Sequence, residues 1–151
     1  MLLSGTVMEI VPQAIPVLGT KRHVLLIDDN KVLRDAVSGS LVSLGCKVTL
    51  ACNGFQGGML FLTRSYDLAI IDLAVPQMNV WELARIFKDH SPSTPVIVVT
   101  RFNKDEPLTK ADRDKVDAIV PKPFRLNEIE ETVQRFLNGG AHAERKGDSL
   151  T

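Results

Sequence analysis

The stretch VLLIDDN, residues 24–30, places four apolar residues directly before two adjacent aspartates. An apolar run of this kind is typical of a strand that is buried on both faces of a parallel sheet. Two neighbouring carboxylates repel each other and lose hydration on burial, so a strand end is an unfavourable place for them without a partner. The simplest partner is a cation. The stretch therefore predicts a cation site at the end of a buried strand.

The rest of the chain repeats the pattern of a buried strand followed by a helix. The strand-like runs are HVLLID (23–28), KVTLAC (47–52), YDLAIID (66–72), PVIVVT (95–100) and DAIV (117–120). Helical patterns cover about 30–44, 54–64, 79–90, 104–115 and 125–138. Five strands that alternate with five helices predict an α/β fold with a doubly wound parallel sheet and right-handed crossovers.

Four of the predicted helices have an apolar face that we expect to pack on the sheet. The predicted inner residues are Leu33, Val37, Leu41 and Leu44 in the first helix, Phe55, Met59 and Leu62 in the second, Leu83, Ile86 and Phe87 in the third, and Leu126, Ile129, Val133 and Phe136 in the last. Gly45 is the expected C-cap of the first helix. The fourth stretch has only Leu108 and Ala111 as apolar contacts. We expect it to form a short, marginal helix that is exposed to solvent.

Length and composition indicate one domain. A chain of 151 residues suits a single core, which we place at residues 21–138, with an N-terminal extension at 1–20 and a flexible C-terminal tail at 139–151. The 18 basic and 18 acidic side chains balance, so nothing indicates a general affinity for nucleic acid or for an anionic membrane. The extension lacks a basic start and contains Pro12 and Pro16, which argues against a signal peptide or a membrane span.

The two cysteines, Cys46 and Cys52, flank the second predicted strand and lack the spacing of a metal site. We expect both to be buried, reduced thiols. Reduced thiols are typical of a cytoplasmic protein.

The ends of the predicted strands carry the residues that point to chemistry. Asp28 and Asp29 follow the first strand, Asp72 ends the third, Thr100 ends the fourth and Lys122 follows the fifth. The carboxyl ends of parallel strands meet at one edge of a sheet, and three carboxylates there would suit Mg²⁺, which prefers oxygen ligands and keeps several waters. A carboxylate beside Mg²⁺, a hydroxyl and an ammonium group are the parts needed for phosphoryl transfer. Asp72 is the best candidate for a nucleophile that forms an aspartyl-phosphate.

Each of these residues also has an ordinary structural interpretation. Asp28 and Asp29 could be an acidic pair at a helix N-terminus, favoured by the helix dipole. Asp72 could cap a turn, Thr100 could be β-branched strand content and Lys122 could be a surface lysine. Their occurrence in this order, at strand-sized intervals, favours the site.

The order of these motifs resembles the receiver domain of two-component response regulators, including the chemotaxis regulators. The motifs are IDD (27–29), IDLAVPQM (71–78), VVT (98–100) and VPKPF (120–124). The resemblance covers roughly residues 21–138. It implies a flavodoxin-like (βα)5 fold with strand order 2-1-3-4-5.

The resemblance also implies a metal site. Asp29 and Asp72 would bind Mg²⁺ directly, together with the backbone carbonyl of Ala74, while Asp28 would act mainly through water. The family uses no other cofactor at this site.

The resemblance implies a role for each phosphoryl contact. Asp72 would accept a phosphoryl group from a histidine kinase, Lys122 would pair with the phosphoryl oxygens, and Thr100 would move inward to bind them as the switch. The bond between Lys122 and Pro123 is expected to be cis, as in the family. No enzymatic activity is implied beyond the domain's own phosphorylation and dephosphorylation.

Three positions depart from the family pattern. Ile119 replaces an aromatic residue in the fifth strand, so switching is expected to differ from its usual form. Arg101 follows the switch threonine where the family has a small residue; it either crowds phosphoryl donors or offers the phosphate an extra cation. Val80 replaces a glycine after the acceptor, so we expect another turn conformation there, or a left-handed Asn79.

These observations favour a stand-alone receiver in a phosphorelay, since the polar residues 139–151 leave no room for an output domain. Its partners would be a sensor histidine kinase or phosphotransfer protein and a downstream protein. We expect the domain to signal through the face formed by the fourth helix, fifth strand and fifth helix. The chain could instead be a receiver fragment of a longer protein. A pseudo-receiver that binds partners without phosphate is the alternative, and the three departures support it. A nucleotide or flavin enzyme is disfavoured because no glycine-rich loop follows the first strand.

Overall fold

The computed structural model describes residues 21–73, 79–101 and 109–138, and over these ranges five strands alternate with five helices. The elements are β1 (His23–Asp28), α1 (Lys31–Ser43), β2 (Lys47–Ala51), α2 (Gly54–Thr63), β3 (Leu68–Asp72), α3 (Val80–His90), β4 (Val96–Arg101), α4 (Lys110–Asp114), β5 (Ala118–Lys122) and α5 (Leu126–Leu137). The predicted alternation is confirmed. The domain boundaries at 21 and 138 stay a prediction, because residues 1–20 and 139–151 lie outside the described ranges.

The five strands form one parallel sheet in the order β2-β1-β3-β4-β5. This is the predicted order 2-1-3-4-5. The three inner strands are apolar along most of their length because both faces of the sheet are covered by helices. None of the helices in the described part of the chain is long and apolar enough to cross a bilayer.

Side chains alternate between two separate apolar clusters, one on each face of the sheet. In β1, Val24 and Leu26 pack in the cluster that includes α1 and α5, whereas Leu25 and Ile27 pack in the cluster with α2 and α3. A strand directs successive side chains to opposite faces. Asp28, the last residue of β1, therefore continues the row that faces α1 and α5.

Helix α1 has the predicted ends, and two of its four predicted inner residues are buried, whereas Leu33 and Leu44 are half-buried. The side-chain oxygen of Asn30 accepts a hydrogen bond from the backbone N–H of Leu33 at 3.0 Å, which caps the first turn. Val37 and Leu41 are buried against the sheet. Gly45 follows the helix with φ +94°, the left-handed conformation that glycine adopts without strain.

The predicted inner faces of α3 and α5 are largely confirmed. Leu83 and Phe87 of α3 are buried, as are Ile129, Val133 and Phe136 of α5. The exception is Leu126, which is 40% exposed. It opens the first turn of α5, beyond the edge strand β5, where the sheet no longer covers it.

The predicted inner face of α2 is wrong. The three apolar residues expected to be buried face solvent, and their exposed fractions are 71% for Phe55, 53% for Met59 and 44% for Leu62. The residues that α2 buries are Gly54, Gly57 and Phe61. At Gly57 the helix lies so close to β1 that a Cβ atom would be 2.3 Å from Cδ1 of Ile27. The helix thus packs through its glycines, which turns the larger apolar residues outward.

Helix α4 is short and weakly attached, as predicted. It comprises Lys110–Asp114 and buries none of its residues, and Ala111 is exposed. Thr109 forms a capping box with Asp112, which stabilises this single turn locally. The predicted contact of Leu108 lies outside the described residues.

The two cysteines differ in exposure. Cys46 and Cys52 are both free thiols, and Cys46 is buried as predicted. Cys52 is exposed, which corrects the expectation that both would be buried. It directly follows the edge strand β2 and lies outside the sheet.

Candidate functional site

Two carboxylates lie side by side at the carboxyl edge of the sheet. Asp28 ends β1 and Asp72 ends β3, and the two residues are Cα partners in the parallel register. Their exposed fractions are 0% and 2%, whereas Asp29, the next residue, is half-buried. The buried apolar residues before each aspartate fix the register, and the register places the carboxylates together.

Lys122 completes a charged cluster with them. Its Nζ lies 2.6 Å from Oδ1 of Asp72, and only 17% of the lysine side chain is exposed. Since β4 separates β3 from β5, the lysine reaches across one strand to make this contact. The peptide bond between Lys122 and Pro123 is cis, as predicted.

Burial dominates the electrostatics of the two aspartates. It raises the pKa of Asp28 to about 6, against a backbone hydrogen bond from Asn30 N to Asp28 Oδ1 at 2.9 Å, which lowers it. Burial also raises the pKa of Asp72, although the ammonium group of Lys122 opposes the shift. Asp28 Oδ2 is buried, and no hydrogen-bond donor of the described residues reaches it. The ionised pair is therefore short of positive charge.

The oxygen ligands at this edge suit a metal ion that keeps part of its water shell better than a metal ion that is bound by protein ligands alone. Within the described ranges, no three Asp, Glu, His or Cys side chains are arranged to hold a metal by themselves. Mg²⁺ keeps several waters and needs one or two carboxylates, which the aspartates at this edge can supply, whereas a structural Zn²⁺ site needs four protein ligands. The orphaned Oδ2 of Asp28 fits such an ion or its water shell. The predicted carbonyl ligand at Ala74 lies outside the described residues.

Thr100 lies at the same edge without touching the carboxylates. Its Oγ1 is 3.5 Å from the carbonyl oxygen of Arg101, which is the limit of a hydrogen bond. Val98, two residues earlier, packs in the cluster with α2 and α3. By the alternation of the strand, Thr100 continues that row, on the other face from Asp72.

Asn79 and Val80, the last loop residue and the first residue of α3, are described by the structure. Asn79 has φ −63° and ψ 119° and caps α3, accepting hydrogen bonds from the backbone N–H groups of Trp81 at 2.8 Å and Glu82 at 3.2 Å. Val80 is the first helical residue. The left-handed Asn79 is wrong, because this residue caps the helix with an extended backbone. The expectation of another turn conformation stays a prediction, since residues 74–78 lie outside the described ranges.

The third departure, Ile119, lies in the middle of β5 and is half-buried. It is the Cα partner of Val98 in β4. The position is thus filled by an aliphatic side chain beside the strand that carries Thr100.

A groove of about 540 Å³ opens beside the site, between α1 and the start of α5. Its lining includes the apolar residues Leu33, Phe124 and Leu126 together with Arg101 and Lys122. Sequence reasoning missed this groove because it assigned Leu33 and Leu126 to the core. The available signal was that both lie at the first turns of their helices, next to the carboxyl edge of the sheet.

Comparisons with known proteins agree with this geometry. Residues 24–134 match the family model of the response regulator receiver domain. The transcriptional regulatory protein CusR of Escherichia coli (strain K12) is 30% identical over 117 residues, which are 78% of this chain and 52% of that protein. The chain thus spans about half the length of the first curated relatives that it matches.

Solved structures show the same fold. A CheY-like receiver domain protein from Methanospirillum hungatei JF-1 superposes with a TM-score of 0.71 at 21% identity, covering 83% of this chain and 99% of that one. The chemotaxis response regulator CheY4 of Vibrio cholerae gives a TM-score of 0.68 at 25% identity, covering 78% and 99%. Since the family model matches most of the sequence and the sheet has the receiver strand order, the chain belongs to the receiver domain family of two-component response regulators.

Proposed function

We propose that this domain accepts a phosphoryl group on Asp72 from a histidine kinase or a phosphotransfer protein, and that it passes the signal on by binding another protein. The observation that carries the proposal is the buried pair of Asp28 and Asp72, with Lys122 Nζ 2.6 Å from Asp72. Burial of two carboxylates beside a single cation costs free energy of folding, and phosphoryl transfer is a function that requires this arrangement.

Asp72 is the nucleophile in this proposal. One of its carboxylate oxygens attacks the phosphorus as the phosphorus–nitrogen bond of the donor phosphohistidine breaks, and the electron pair of that bond stays on the imidazole. Mg²⁺, held by Asp29 and Asp72 with Asp28 acting through water, would neutralise charge on the phosphoryl oxygens. Lys122 favours the ionised form of Asp72 before transfer, because its ammonium group lowers the pKa of that carboxyl and so opposes the larger effect of burial, which raises it.

After transfer, Lys122 is placed to pair with a phosphoryl oxygen, since the new group would be attached to the carboxylate that the ammonium group already contacts. Thr100 would have to turn from its present position to reach that group, because it makes no described contact with Asp72. The groove beside Lys122, with its apolar lining, supports docking of the donor protein next to the acceptor.

The output face of the proposal is formed by α4, β5 and α5. Helix α4 buries no residue, so its displacement costs little free energy and a remote phosphoryl group could bias its position. Ile119 occupies this region in place of an aromatic residue, and the switch is therefore expected to be transmitted by Thr100 and the loop after β4.

The test is the intact mass of the protein after incubation with acetyl phosphate and Mg²⁺. We expect one added phosphoryl group in the wild type, none in Asp72→Asn and none after removal of metal by a chelator. Asp89→Asn, which changes an exposed carboxylate at the far end of α3, serves as the matched control and should label like the wild type. Labelling of Asp72→Asn would contradict the assignment of the acceptor.

The second candidate is a pseudo-receiver that binds partners without phosphate. The observation in its favour is the set of departures at Val80, Arg101 and Ile119. Folded wild-type protein that gains no phosphoryl group from acetyl phosphate or from a phosphorylated phosphotransfer protein would support this candidate and defeat the first.

A further inference from the structure

Arg101 is a second cation on the side of the sheet where the carboxylates lie. In β4, Ile97 and Val99 pack in the cluster with α1 and α5. Strand alternation places Arg101, two residues after Val99, in the same row, which is the face of Asp72. The groove confirms this direction, because Arg101 lines it together with Lys122.

The sheet register brings Arg101 within reach of a group on Asp72. Ile71 is paired with Val98, so the next position sets Asp72 opposite Val99. Arg101 lies two residues further along β4, or about 6.6 Å, on a strand about 4.8 Å away, which gives a Cα separation of about 8 Å. A long arginine side chain covers most of this distance, and a phosphoryl group extends from Asp72 toward the same edge.

Arg101 forms no ion pair with an acidic residue of the described ranges. Among the ion pairs of the described residues, Lys122 is paired with Asp72, whereas Arg101 takes part in none. Its side chain is exposed at the groove, and its Cα partner in β5 is Lys122. A guanidinium group presents several donors in a planar fork, which matches two oxygens of a phosphoryl group.

We propose that Arg101 is a second phosphoryl-binding residue of this domain, acting beside Lys122. This inference rests on the proposed function of Asp72 as the acceptor. During transfer, Lys122 and Arg101 each donate hydrogen bonds to non-bridging phosphoryl oxygens, and neither loses a proton. The rival interpretation, that Arg101 obstructs the entry of donors, predicts the opposite effect of shortening the side chain.

Beryllofluoride, an anionic mimic of the phosphoryl group, separates the two interpretations because it needs no donor protein. Its affinity is measured by titration calorimetry at saturating Mg²⁺ for the wild type and for Arg101→Gln, Arg101→Ala and Arg101→Lys. Arg64→Gln is the matched control, since it removes the same charge at the C-cap of α2, at the opposite end of the sheet. Circular dichroism and melting curves establish that each variant is folded.

We expect Arg101→Gln and Arg101→Ala to bind beryllofluoride about tenfold more weakly than the wild type, which corresponds to about 1.4 kcal/mol. Arg101→Lys should recover part of the loss, and the control should match the wild type. Mg²⁺ affinity without beryllofluoride should be unchanged or stronger, because a repelling cation has gone.

Two results would overturn the inference. Equal affinity of the wild type, Arg101→Gln and Arg101→Ala would show that Arg101 does not bind the group, and tighter binding by Arg101→Ala would show that it obstructs the site. A wild type that binds no beryllofluoride at saturating Mg²⁺ would instead overturn the proposed function of Asp72, and the role of Arg101 with it.

Discussion

Replacing Gly57 by alanine would insert one methyl group between α2 and β1. The new Cβ would lie 2.3 Å from Cδ1 of Ile27, 2.6 Å from Cγ1 and 3.2 Å from Cγ2. Carbon atoms pack best at about 3.5–4.0 Å, so each of the first two contacts is too short by at least about 0.9 Å. Rotation of the end of the Ile27 side chain relieves only the first of them. Because Ile27 is fully buried, its neighbours limit any larger movement.

The magnitude is the balance of two opposing contributions. Overpacking of a core by an extra methyl group costs about 1–3 kcal/mol, and overlap with two carbons of one buried side chain places this case in the upper part of that range. Alanine is favoured over glycine in a helix interior by about 0.8–1.0 kcal/mol. We therefore expect Gly57→Ala to lower the free energy of unfolding by about 1–2 kcal/mol.

The neighbouring glycine provides the control. A Cβ on Gly58 would lie 3.6 Å from Cδ1 of Leu83, an ordinary contact. Gly58→Ala should thus gain the helix preference without the overlap and stabilise the protein by up to about 1 kcal/mol. Urea unfolding followed by circular dichroism measures both variants, which share their composition and differ only in the face of α2 that carries the methyl group.

A double-mutant cycle with Ile27→Val tests the contact itself. Valine lacks Cδ1, the atom nearest to the inserted methyl group, so the cost of Gly57→Ala should be smaller in that background. Additive free-energy changes, or a Gly57→Ala protein at least as stable as the wild type, would refute the close approach of α2 to β1.

Four further predictions concern charged groups. Since burial raises the pKa of Asp28 to about 6, calorimetry should show Mg²⁺ affinity falling by up to about tenfold per pH unit below pH 6 and changing little above pH 7. In the metal-free protein, the raised pKa of Asp28 means that folding favours the protonated carboxyl, and this contribution to stability is lost as the pH rises from about 4 to 6. Asp28→Asn should therefore raise the free energy of unfolding at pH 7.5 and have little effect on it at pH 4. Lys122→Ala leaves Asp72 buried without its cation and should cost about 3 kcal/mol in urea unfolding, with a clearly smaller cost in an Asp72→Asn background. Asp117→Ala removes a carboxylate that accepts hydrogen bonds from Lys88 Nζ and from a backbone N–H of β4, each at 2.8 Å. The substitution should lower the free energy of unfolding by about 2 kcal/mol, measured as a lower melting temperature. Asp114→Ala, in exposed α4, should leave the melting temperature unchanged.

The sheet and the carboxylate pair were predictable from the sequence because both depend on short-range patterns. Each inner strand is a nearly continuous apolar run, which identifies a strand buried on both faces. The runs in β1 and β3 both end in aspartate, and parallel strands end at the same edge. Once the apolar residues are buried, Asp28 and Asp72 have little freedom to lie apart.

The orientation of α2 was not predictable in the same way. The helix has apolar residues on two faces, so the spacing of Phe55, Met59 and Leu62 fits an inner face as well as that of Gly57 and Phe61 does. The choice is made by tertiary packing. Phe61 stacks on a ring of α3 with centroids 3.9 Å apart, and the glycine lets the helix approach the sheet. Neither contact is visible in the periodicity of one segment.

The roles of Thr100 and Arg101, at the end of β4, also could not be predicted from the sequence pattern alone. A motif match selects Thr100, because the family uses a threonine there, and it treats Arg101 as a departure from the pattern. The geometry separates the two neighbours by the face on which each lies: the row of Val99 leads to Arg101, on the side of Asp72, and Thr100 lies on the other side. A substitution at residue 101 therefore changes the charge on the face of Asp72, whereas Thr100 could reach Asp72 only by moving from its present position. If the proposed function holds, the departure at Arg101 would affect phosphoryl binding, whereas Ile119, in β5, would affect how phosphorylation changes the contact with a partner.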